Sequence, residues 1–530
     1  MATKSIKKNY IYNLIYQIFV LIVPILVTPY LSRVLGPEGT GQYSFTYSLA
    51  NYFILVAALG FGYYAQREIA NHQNDKSAKS LIFWEIIIVR TFSVGISLAL
   101  NIILNVTGVY GSYSSLMWWW IILIAAQGFD ITFLLQGNEE FAKIAIRNVI
   151  VKIISIICIF LFVKKPTDVY IYVICFAGST LLGNLSLWPY LFKMLCCVKF
   201  HDLKPLRHLL PTLRLFIPTI AISVYTVLDK TLIGLLVTGT ETNIVNGVEV
   251  ITKISDLENG YYEQAEKIVK VCMTVVTALG TVMIPRNSNE YACGNLDKVK
   301  ENVYGATNFV WFMGVPLTLG LAAIAGNLVP WFLGEGYDKC VLLIQLFTPL
   351  ILIIGFSNVF GLQYLLPTQR DGKYTIAIVL GAVINFALNI VCIKYFMSYG
   401  AVAASIAAEL TVTVIMLIYI RKEISFLKIL KQSIKYLIAG SIMFAAVYFT
   451  QTVLKPTILF TFLLVLEGAV IYFVVLLCLK DKYVLNVIKK LFGRFKRKKK
   501  TAVDVSDETL TKASELKQEN SKIDTKDDDD

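Results

Sequence analysis

The chain has 530 residues, of which 56% are apolar and 16% are charged, and its formal net charge is +13. A soluble protein of this length could not bury so much apolar surface, so the composition excludes soluble enzymes and soluble binding modules. Most basic residues lie between apolar runs, which indicates membrane topology and contact with membrane lipids; a nucleic-acid partner is not expected.

Fourteen apolar runs follow one another along the chain, and each is long enough to cross a bilayer as a helix. They are residues 10–31, 42–62, 80–106, 115–136, 142–163, 169–192, 213–237, 267–284, 303–325, 340–366, 374–396, 401–420, 434–454 and 457–479. The sequence therefore predicts an all-α polytopic membrane protein with about 14 transmembrane helices.

Lysine and arginine are concentrated in every second loop, and this asymmetry sets the predicted orientation. With the N-terminus in the cytoplasm, basic residues such as Arg67, Lys143 and Arg370 lie inside, and far fewer, such as Lys455, lie outside. An even number of helices then returns the C-terminus to the same side. The sequence predicts a multi-pass protein with both termini in the cytoplasm.

A nine-residue motif occurs twice. Residues 128–136 read GFDITFLLQ and residues 355–363 read GFSNVFGLQ, with five identical positions. A repeat of this kind predicts two similar bundles that face each other across a cavity, where transporters commonly bind substrate. The predicted organisation is a first six-helix lobe at 1–207, a second at 208–430, an added helix pair at 431–480, and a basic stub with a disordered cytoplasmic tail at 481–530.

Ionisable residues inside the predicted spans are costly, at ~2.5–3.5 kcal/mol each near a helix centre, so they must face protein or water. They include Glu85, Arg90, Asp130, Lys152, Asp229, Lys230, Glu409 and Glu467. Two interpretations remain open for each of them: it lines a functional cavity, or it belongs to a structural ion pair. No role is assigned to Glu409 or Glu467.

The cations among these residues predict an anion site. Arg90 and Lys152 lie near mid-depth in the first lobe, Arg33 lies near the outer end of the first helix, and Lys230 belongs to the second lobe. Arginine binds phosphate through its planar fork of donors, and lysine contributes a compact charge. These four residues form the predicted diphosphate site.

Three of the acids have a separate predicted use. Glu85, Asp130 and Asp229, in a partly dry cavity, could bind H⁺ or Na⁺ and couple transport to an ion gradient. Charge balance for neighbouring cations is the alternative. The nine cysteines show no metal-ligand spacing, and neither a metal, another cofactor nor catalysis is expected.

Three segments resemble a known family. Residues 29–43 (PYLSRVLGPEGTGQY) are similar to the first-helix signature of the polysaccharide repeat-unit flippases, the Wzx-type exporters of O-antigen and capsule. Residues 228–230 (LDK) and 260–268 (GYYEQAEKI) also resemble that family, and the similarity extends over about residues 5–480. Arg33 and Lys230 are the site residues that these motifs carry over.

The resemblance implies the fold of the multidrug/oligosaccharidyl-lipid/polysaccharide (MOP) exporters, with two six-helix lobes arranged in a V. It also implies that an undecaprenyl-diphosphate-linked oligosaccharide is moved from the inner to the outer leaflet of the bacterial plasma membrane, with glycan polymerase machinery as an expected partner. A cation-coupled multidrug antiporter of the same fold and a membrane polymerase or glycosyltransferase acting on lipid-linked sugars are the alternatives.

Overall fold

A computed structural model describes the backbone of residues 6–245, 248–481 and 483–485. Most of the predicted basic stub and tail, 481–530, therefore lies outside the described residues. The described part of the chain is almost entirely α-helical, and its one sheet is a two-stranded antiparallel hairpin.

The first half of the chain consists of helices separated by short turns. They are α1 (Ile6–Ala58), α2 (Phe61–Asn71), α3 (Lys76–Val106), α4 (Ser114–Ala126), α5 (Thr132–Gly137), α6 (Phe141–Phe162), α7 (Val169–Leu185) and α8 (Leu191–Met194). A linker with two short 3₁₀ turns, Phe200–Asp202 and Pro205–His208, then leads to the second half.

The second half begins with one helix and the hairpin and continues with longer helices. The elements are α9 (Leu209–Leu236), β1 (Thr240–Val245), β2 (Val248–Lys253), α10 (Ile254–Ala292), α11 (Leu296–Phe332), α12 (Lys339–Phe347), α13 (Pro349–Phe360), α14 (Asp371–Ile420), α15 (Phe426–Val453) and α16 (Ile458–Cys478).

Two of the longest helices are each broken by one residue with a non-helical backbone. Gly36 in α1 has φ 67° and ψ −179°, and Met397 in α14 has φ 52° and ψ −129°. Both residues lie in short segments where the sequence predicts a loop between two spans. Each helix is therefore two helical segments that meet at a turn.

Nine helical segments within the described residues are long and apolar enough to cross a bilayer. Since an apolar segment in lipid must satisfy its own backbone groups, helices of this length are the expected solution. The predicted all-α polytopic class is confirmed, whereas the number of fourteen spans stays a prediction.

The segment between the predicted spans 213–237 and 267–284 is not a loop throughout. Thr240 pairs with Lys253 at the base of the hairpin, and α10 starts directly after it at Ile254. The acids Asp256 and Glu258 thus belong to the first turns of a 39-residue helix. Apolar run length located only the part of α10 that starts at 267, because the preceding turns are polar.

Buried apolar side chains form separate clusters in the two halves. Those between Val23 and Leu195 form three clusters, and those between Leu232 and Val484 form one continuous cluster. The C-terminal pair α15–α16 belongs to the latter, since Tyr472 donates a hydrogen bond to the carbonyl of Phe312 at 2.9 Å. Burial of apolar surface thus stabilises each half largely from within.

Candidate functional site

The two halves of the chain come into backbone contact where the turn at Gly36 meets the start of α10. A Cβ atom on Gly41 would lie 1.7 Å from the carbonyl oxygen of Asp256. A Cβ atom on Gly260 would lie 2.0 Å from the carbonyl oxygen of Pro37. Only residues without a side chain permit this approach. We call it the glycine contact, and following the predicted topology we call this end of the molecule the outer end.

Side-chain hydrogen bonds surround the glycine contact and join the same two halves. The hydroxyl of Tyr337 lies 3.2 Å from Oγ1 of Thr40 and donates to the carbonyl of Ser32 at 3.3 Å. Thr252 of the hairpin donates to Glu38 at 3.1 Å. The outer end is therefore closed in this conformation.

Five charged residues of the second half form a continuous network beside this closed end. Lys230 of α9 pairs with Glu263, and its Nζ lies 2.9 Å from Oε2 of Glu266. Lys267 lies 2.9 Å from Oε1 of Glu263, and Lys270 lies 2.7 Å from Oε1 of Glu266, each one helical turn further along. We call these five residues the α10 charge network; three lysines and two glutamates leave it with one net positive charge.

The α10 charge network becomes more accessible with distance from the outer end. The side chain of Glu263 is 8% exposed, that of Lys267 is 32% exposed and that of Lys270 is 49% exposed. A charged ammonium facing lipid would be expensive. We therefore interpret the exposed side as facing a water-filled opening between the halves.

One member of the network also contacts the first half directly. Ser44 of α1 donates a hydrogen bond to Oε2 of Glu263 at 2.9 Å. One turn further along α1, Thr231 lies 3.0 Å from the hydroxyls of both Ser48 and Tyr52. Glu263 thus connects the lysines of α9 and α10 with a hydroxyl on the opposite half.

The first half presents a cluster of aromatic rings to this network. Tyr43 and Tyr172 have ring centres 4.5 Å apart, and the ring centre of Trp120 lies 5.6 Å from that of Tyr43. Lys267 reaches across the interface to within 5.9 Å of the Tyr43 ring, a distance at which a cation is attracted to a ring face. The interface therefore combines ammonium groups with rings.

Lys152 is a predicted site residue of the first half whose charge interacts with the α10 charge network. Its ammonium is 5.7 Å from the ring centre of Phe176, and no carboxylate of the described residues forms an ion pair with it. Its charge is repelled by that of Lys267. Lys152 and Lys230 are thus brought to the same interface from opposite halves.

The other two predicted diphosphate residues lie elsewhere. Arg33 is exposed at the outer end, where its guanidinium donates to the carbonyl of Trp331. Arg90 is buried in the first half, 5% exposed, and donates to the carbonyl of Asp130 at 2.6 Å and to its carboxylate at 3.4 Å. Asp130 lies in the break between α4 and α5, which leaves carbonyls without helical partners. In this conformation Arg90 donates a hydrogen bond to a carbonyl group at the helix break.

Asp229 lies inside the second half, within a polar cluster formed by three helices. Its carboxylate accepts hydrogen bonds from Tyr262 at 2.5 Å, Ser405 at 2.5 Å and Asn389 at 2.6 Å. Among the described residues, Oδ1 of Asn389 and Nδ2 of Asn385 have no hydrogen-bond partner. Asp229 also lines a cavity of about 170 Å³ together with Glu266, Lys270 and Glu409. Buried amide groups without partners are unusual, and here they lie beside a carboxylate.

Glu85 contacts the linker between the halves, away from the interface. Its carboxylate is 1% exposed and accepts from the backbone of Lys204 at 2.7 Å, from Arg207 at 2.8 Å and from His208 at 2.7 Å. Tyr64 lies 2.7 Å from the other ring nitrogen of His208. Burial lowers the pKa of His208, although its hydrogen bond to Glu85 acts in the opposite direction. These contacts assign Glu85 to linker attachment, so we do not include it in the site.

Replacement of Glu85 by glutamine is expected to weaken the protein, because one amide oxygen cannot serve all three donors and the new NH2 group would face at least one of them. Buried donors without partners cost ~1–3 kcal/mol, so the thermal unfolding temperature of the purified protein should fall. Asp297→Asn is the matched control, since that carboxylate is 97% exposed. Equal unfolding temperatures for Glu85→Gln and wild type would contradict the linker role.

Sequence reasoning missed four residues of the α10 charge network. Glu263 and Glu266 lie before the predicted eighth span and Lys267 and Lys270 lie in its first turn, so their depth in the membrane was not considered. Their spacing of three and four residues is a signal that could have identified them. The contact with Lys230 has no such signal, because it joins two different helices.

Comparison with known proteins places this geometry in a family. Residues 6–289 match the family described as polysaccharide biosynthesis protein. The chain belongs to this family. It is similar to the putative O-antigen transporter of Escherichia coli strain K12, with 23% identity over 427 residues that cover 79% of this chain and 97% of the relative. It is also similar to the lipid II flippase MurJ of Bacillus subtilis strain 168, with 23% identity over 251 residues, or 43% and 44% of the two chains.

Solved structures support the family fold. The lipid II flippase MurJ in an inward closed conformation aligns with a TM-score of 0.61 at 17% identity and covers 88% of this chain and 99% of its own. An inward-facing multidrug resistance MATE family transporter of the MOP superfamily aligns with a TM-score of 0.52 at 14% identity, over 77% and 99%. These likenesses concern the fold, and they agree with the MOP architecture that the sequence motifs imply.

Proposed function

We propose that the protein is a flippase that moves an undecaprenyl-diphosphate-linked oligosaccharide from the inner to the outer leaflet of the bacterial plasma membrane by alternating access. One observation supports this most strongly: cations outnumber acids in the group formed by Lys152 and the α10 charge network. Lys152 and the α10 charge network together leave two positive charges there. A diphosphate is the part of such a substrate that these charges would hold.

Lys267 and Lys152 are the residues that we place in contact with the bound diphosphate. Both reach the space between the halves, and their mutual repulsion is relieved when an anion lies between them. Lys230 is more deeply buried and forms ion pairs with both Glu263 and Glu266. The adjacent rings of Tyr43 and Tyr172 offer surfaces on which the first sugars could pack.

The polyprenyl tail has an apolar path beside the charged interface. A groove of about 340 Å³ lies between α10, α11, α15 and α16, and its lining is almost wholly apolar. Cys272, Pro316, Met443 and Leu464 are among its residues. The diphosphate and sugars would thus cross between the halves while the tail stays in lipid along the added helix pair.

Ion coupling is assigned to Asp229 in this proposal. Its carboxylate, the hydroxyl of Ser405 and the amide oxygen of Asn389 supply the oxygen ligands that a hard cation such as Na⁺ requires. Protonation of the same carboxylate is the other possibility. Tyr262 of α10 also donates a hydrogen bond to Asp229. Binding of an ion at Asp229 would therefore act on the α10 charge network through α10 itself.

The test is alanine substitution of Lys152 and Lys267, singly and together, in a leaflet-resolved assay with vesicles that contain the lipid-linked glycan. Each single variant is expected to lower the transport rate about tenfold, the effect of ~1.4 kcal/mol on the barrier. Lys298→Ala is the matched control, because that lysine is 45% exposed and pairs with nearby Glu301. Folded double variants that transport at the wild-type rate would reject the site.

A multidrug antiporter remains the second candidate, because the cavity beside Asp229 also contains Glu266 and Glu409. Acids of this kind suit a cationic drug. Export of a cationic dye that is lost in Asp229→Asn and unaffected in Lys152→Ala would favour it. A polymerase or glycosyltransferase is not proposed, since the relatives above are described as transporters and flippases. Both cytoplasmic termini and a polymerase partner stay predictions.

A further inference from the structure

We propose that Glu263 is the residue that couples occupancy of the substrate site to opening of the outer end. The inference rests on the proposed function, and it adds a part that neither the motifs nor the relatives assign. Glu263 contacts both the substrate site and the opposite half. Its carboxylate pairs with Lys230 and Lys267, and it accepts a hydrogen bond from Ser44 of the first half.

The proposed diphosphate site contains carboxylates of its own. The carboxylates of Glu263 and Glu266 supply oxygens to Lys230, Lys267 and Lys270, as the oxygens of a diphosphate would. They keep the lysines ordered and partly neutralised while no substrate is present. A diphosphate entering from the exposed side meets Lys270 and Lys267 first and competes with the glutamates for them.

Competition affects the two glutamates differently. When the diphosphate draws Lys267 away, Glu263 loses one of its counter-ions and faces a second anion, and the two negative charges repel each other at low effective dielectric. Displacement of this carboxylate removes the Ser44 hydrogen bond that joins the halves. The glycine contact lies one helical turn away, since Gly260 precedes Glu263 by three residues. Movement of this part of α10 is therefore transmitted to the closed end.

Glu266 provides a comparison for Glu263, because it forms matching ion pairs, although it also lines the cavity beside Asp229. Both are on α10, both pair with Lys230, and each binds one further lysine. The bond from the first half goes to Glu263. Charge effects on binding should therefore be shared by the two residues, whereas coupling to the outer end should belong to Glu263.

The experiment measures pyrophosphate affinity and outer-end distance in the same purified full-length protein. Spin labels at Thr167 and Glu335, which are both exposed near the outer end of opposite halves, are introduced as unnatural amino acids. In the wild type, pyrophosphate should lengthen the label distance. Glu263→Gln should bind pyrophosphate at least about tenfold more tightly, equivalent to ~1.4 kcal/mol, while its label distance no longer responds.

Glu266→Gln should also bind more tightly but keep the distance response, and Glu301→Gln, 72% exposed, should match the wild type. Ser44→Ala preserves every ion pair, so it covers the case in which Glu263→Gln does not fold; its labels should be farther apart without ligand, and it should bind pyrophosphate more tightly, because binding and opening are coupled reciprocally. Equal distance responses in Glu263→Gln and Glu266→Gln, or an unchanged distance in Ser44→Ala, would overturn the inference. Absence of pyrophosphate binding by the wild type would instead reject the proposed site.

Discussion

Replacement of Gly41 by alanine is expected to reduce transport to about one hundredth of the wild-type rate, which corresponds to ~2.7 kcal/mol on an obligatory step. The reason is geometric. A Cβ atom at this position would lie 1.7 Å from a backbone oxygen of Asp256, and backbone cannot move aside as a flexible side chain can. The conformation with a closed outer end could not form, so the two halves should remain apart at that end.

The matching substitution on the other side of the contact should have the same result. Gly260→Ala places a Cβ atom 2.0 Å from the carbonyl oxygen of Pro37. Both variants should fold, because alanine favours a helix over glycine by ~1 kcal/mol and the strain is confined to one conformation. The measurement is leaflet-resolved transport combined with label distances between positions 167 and 335.

Two other glycines serve as controls for this prediction. A Cβ atom on Gly95 of α3 or on Gly305 of α11 would meet no atom within 4 Å. Alanine at either position should leave transport unchanged. If Gly41→Ala transports at the rate of Gly95→Ala, the glycine contact is not needed for transport and the closed outer end loses its proposed role.

Removal of the Asp130 carboxylate is expected to destabilise the protein by ~3–5 kcal/mol, because it leaves the guanidinium of Arg90 charged and unpaired in a buried position. That side chain is 5% exposed, whereas the side chain of Asp130 is 27% exposed. The reverse change, Arg90→Ala, should cost less, about 1–3 kcal/mol, since the carboxylate that remains can be partly hydrated. Thermal unfolding of purified Asp130→Ala and Arg90→Ala measures this order.

The double variant distinguishes pairing from independent roles. Arg90→Ala combined with Asp130→Ala should be more stable than Asp130→Ala alone, because no buried charge is left behind. Folded Arg90→Ala should also bind pyrophosphate like the wild type. A folded Arg90→Ala protein with normal stability but without pyrophosphate binding would instead place Arg90 in the diphosphate site, as the sequence analysis predicts.

The class of fold could be predicted from the sequence because the bilayer imposes a local rule. Each apolar run must form a helix long enough to cross the bilayer, and the length of a run can be read directly from the sequence. The same rule placed the turns at Gly36 and Met397 correctly, where two helices meet within one continuous element. It failed at the start of α10, because the polar turns from Ile254 onward are helical through contacts with the other half.

The candidate site could be predicted only in part, since a charge in a span shows that a partner exists but not which one. Lys230 was recognised from its motif and depth, yet Glu263 lies 33 residues later on another helix. Arg90 was recognised in the same way, but its partner Asp130 lies in a helix break that composition does not reveal. Glu85 has the composition signal of a cavity acid, and the tertiary structure joins it to the linker at Arg207.

The sequence by itself determined that this is a helical membrane protein, that its halves carry a repeat, and that basic and acidic residues lie within its membrane spans. Those properties follow from run length, loop charge and motif similarity, which are local along the chain. Only the tertiary structure decided which charges neutralise each other and which meet at the interface. The energy of a buried charge depends on the few groups within hydrogen-bonding distance, and these come from helices that are far apart in sequence.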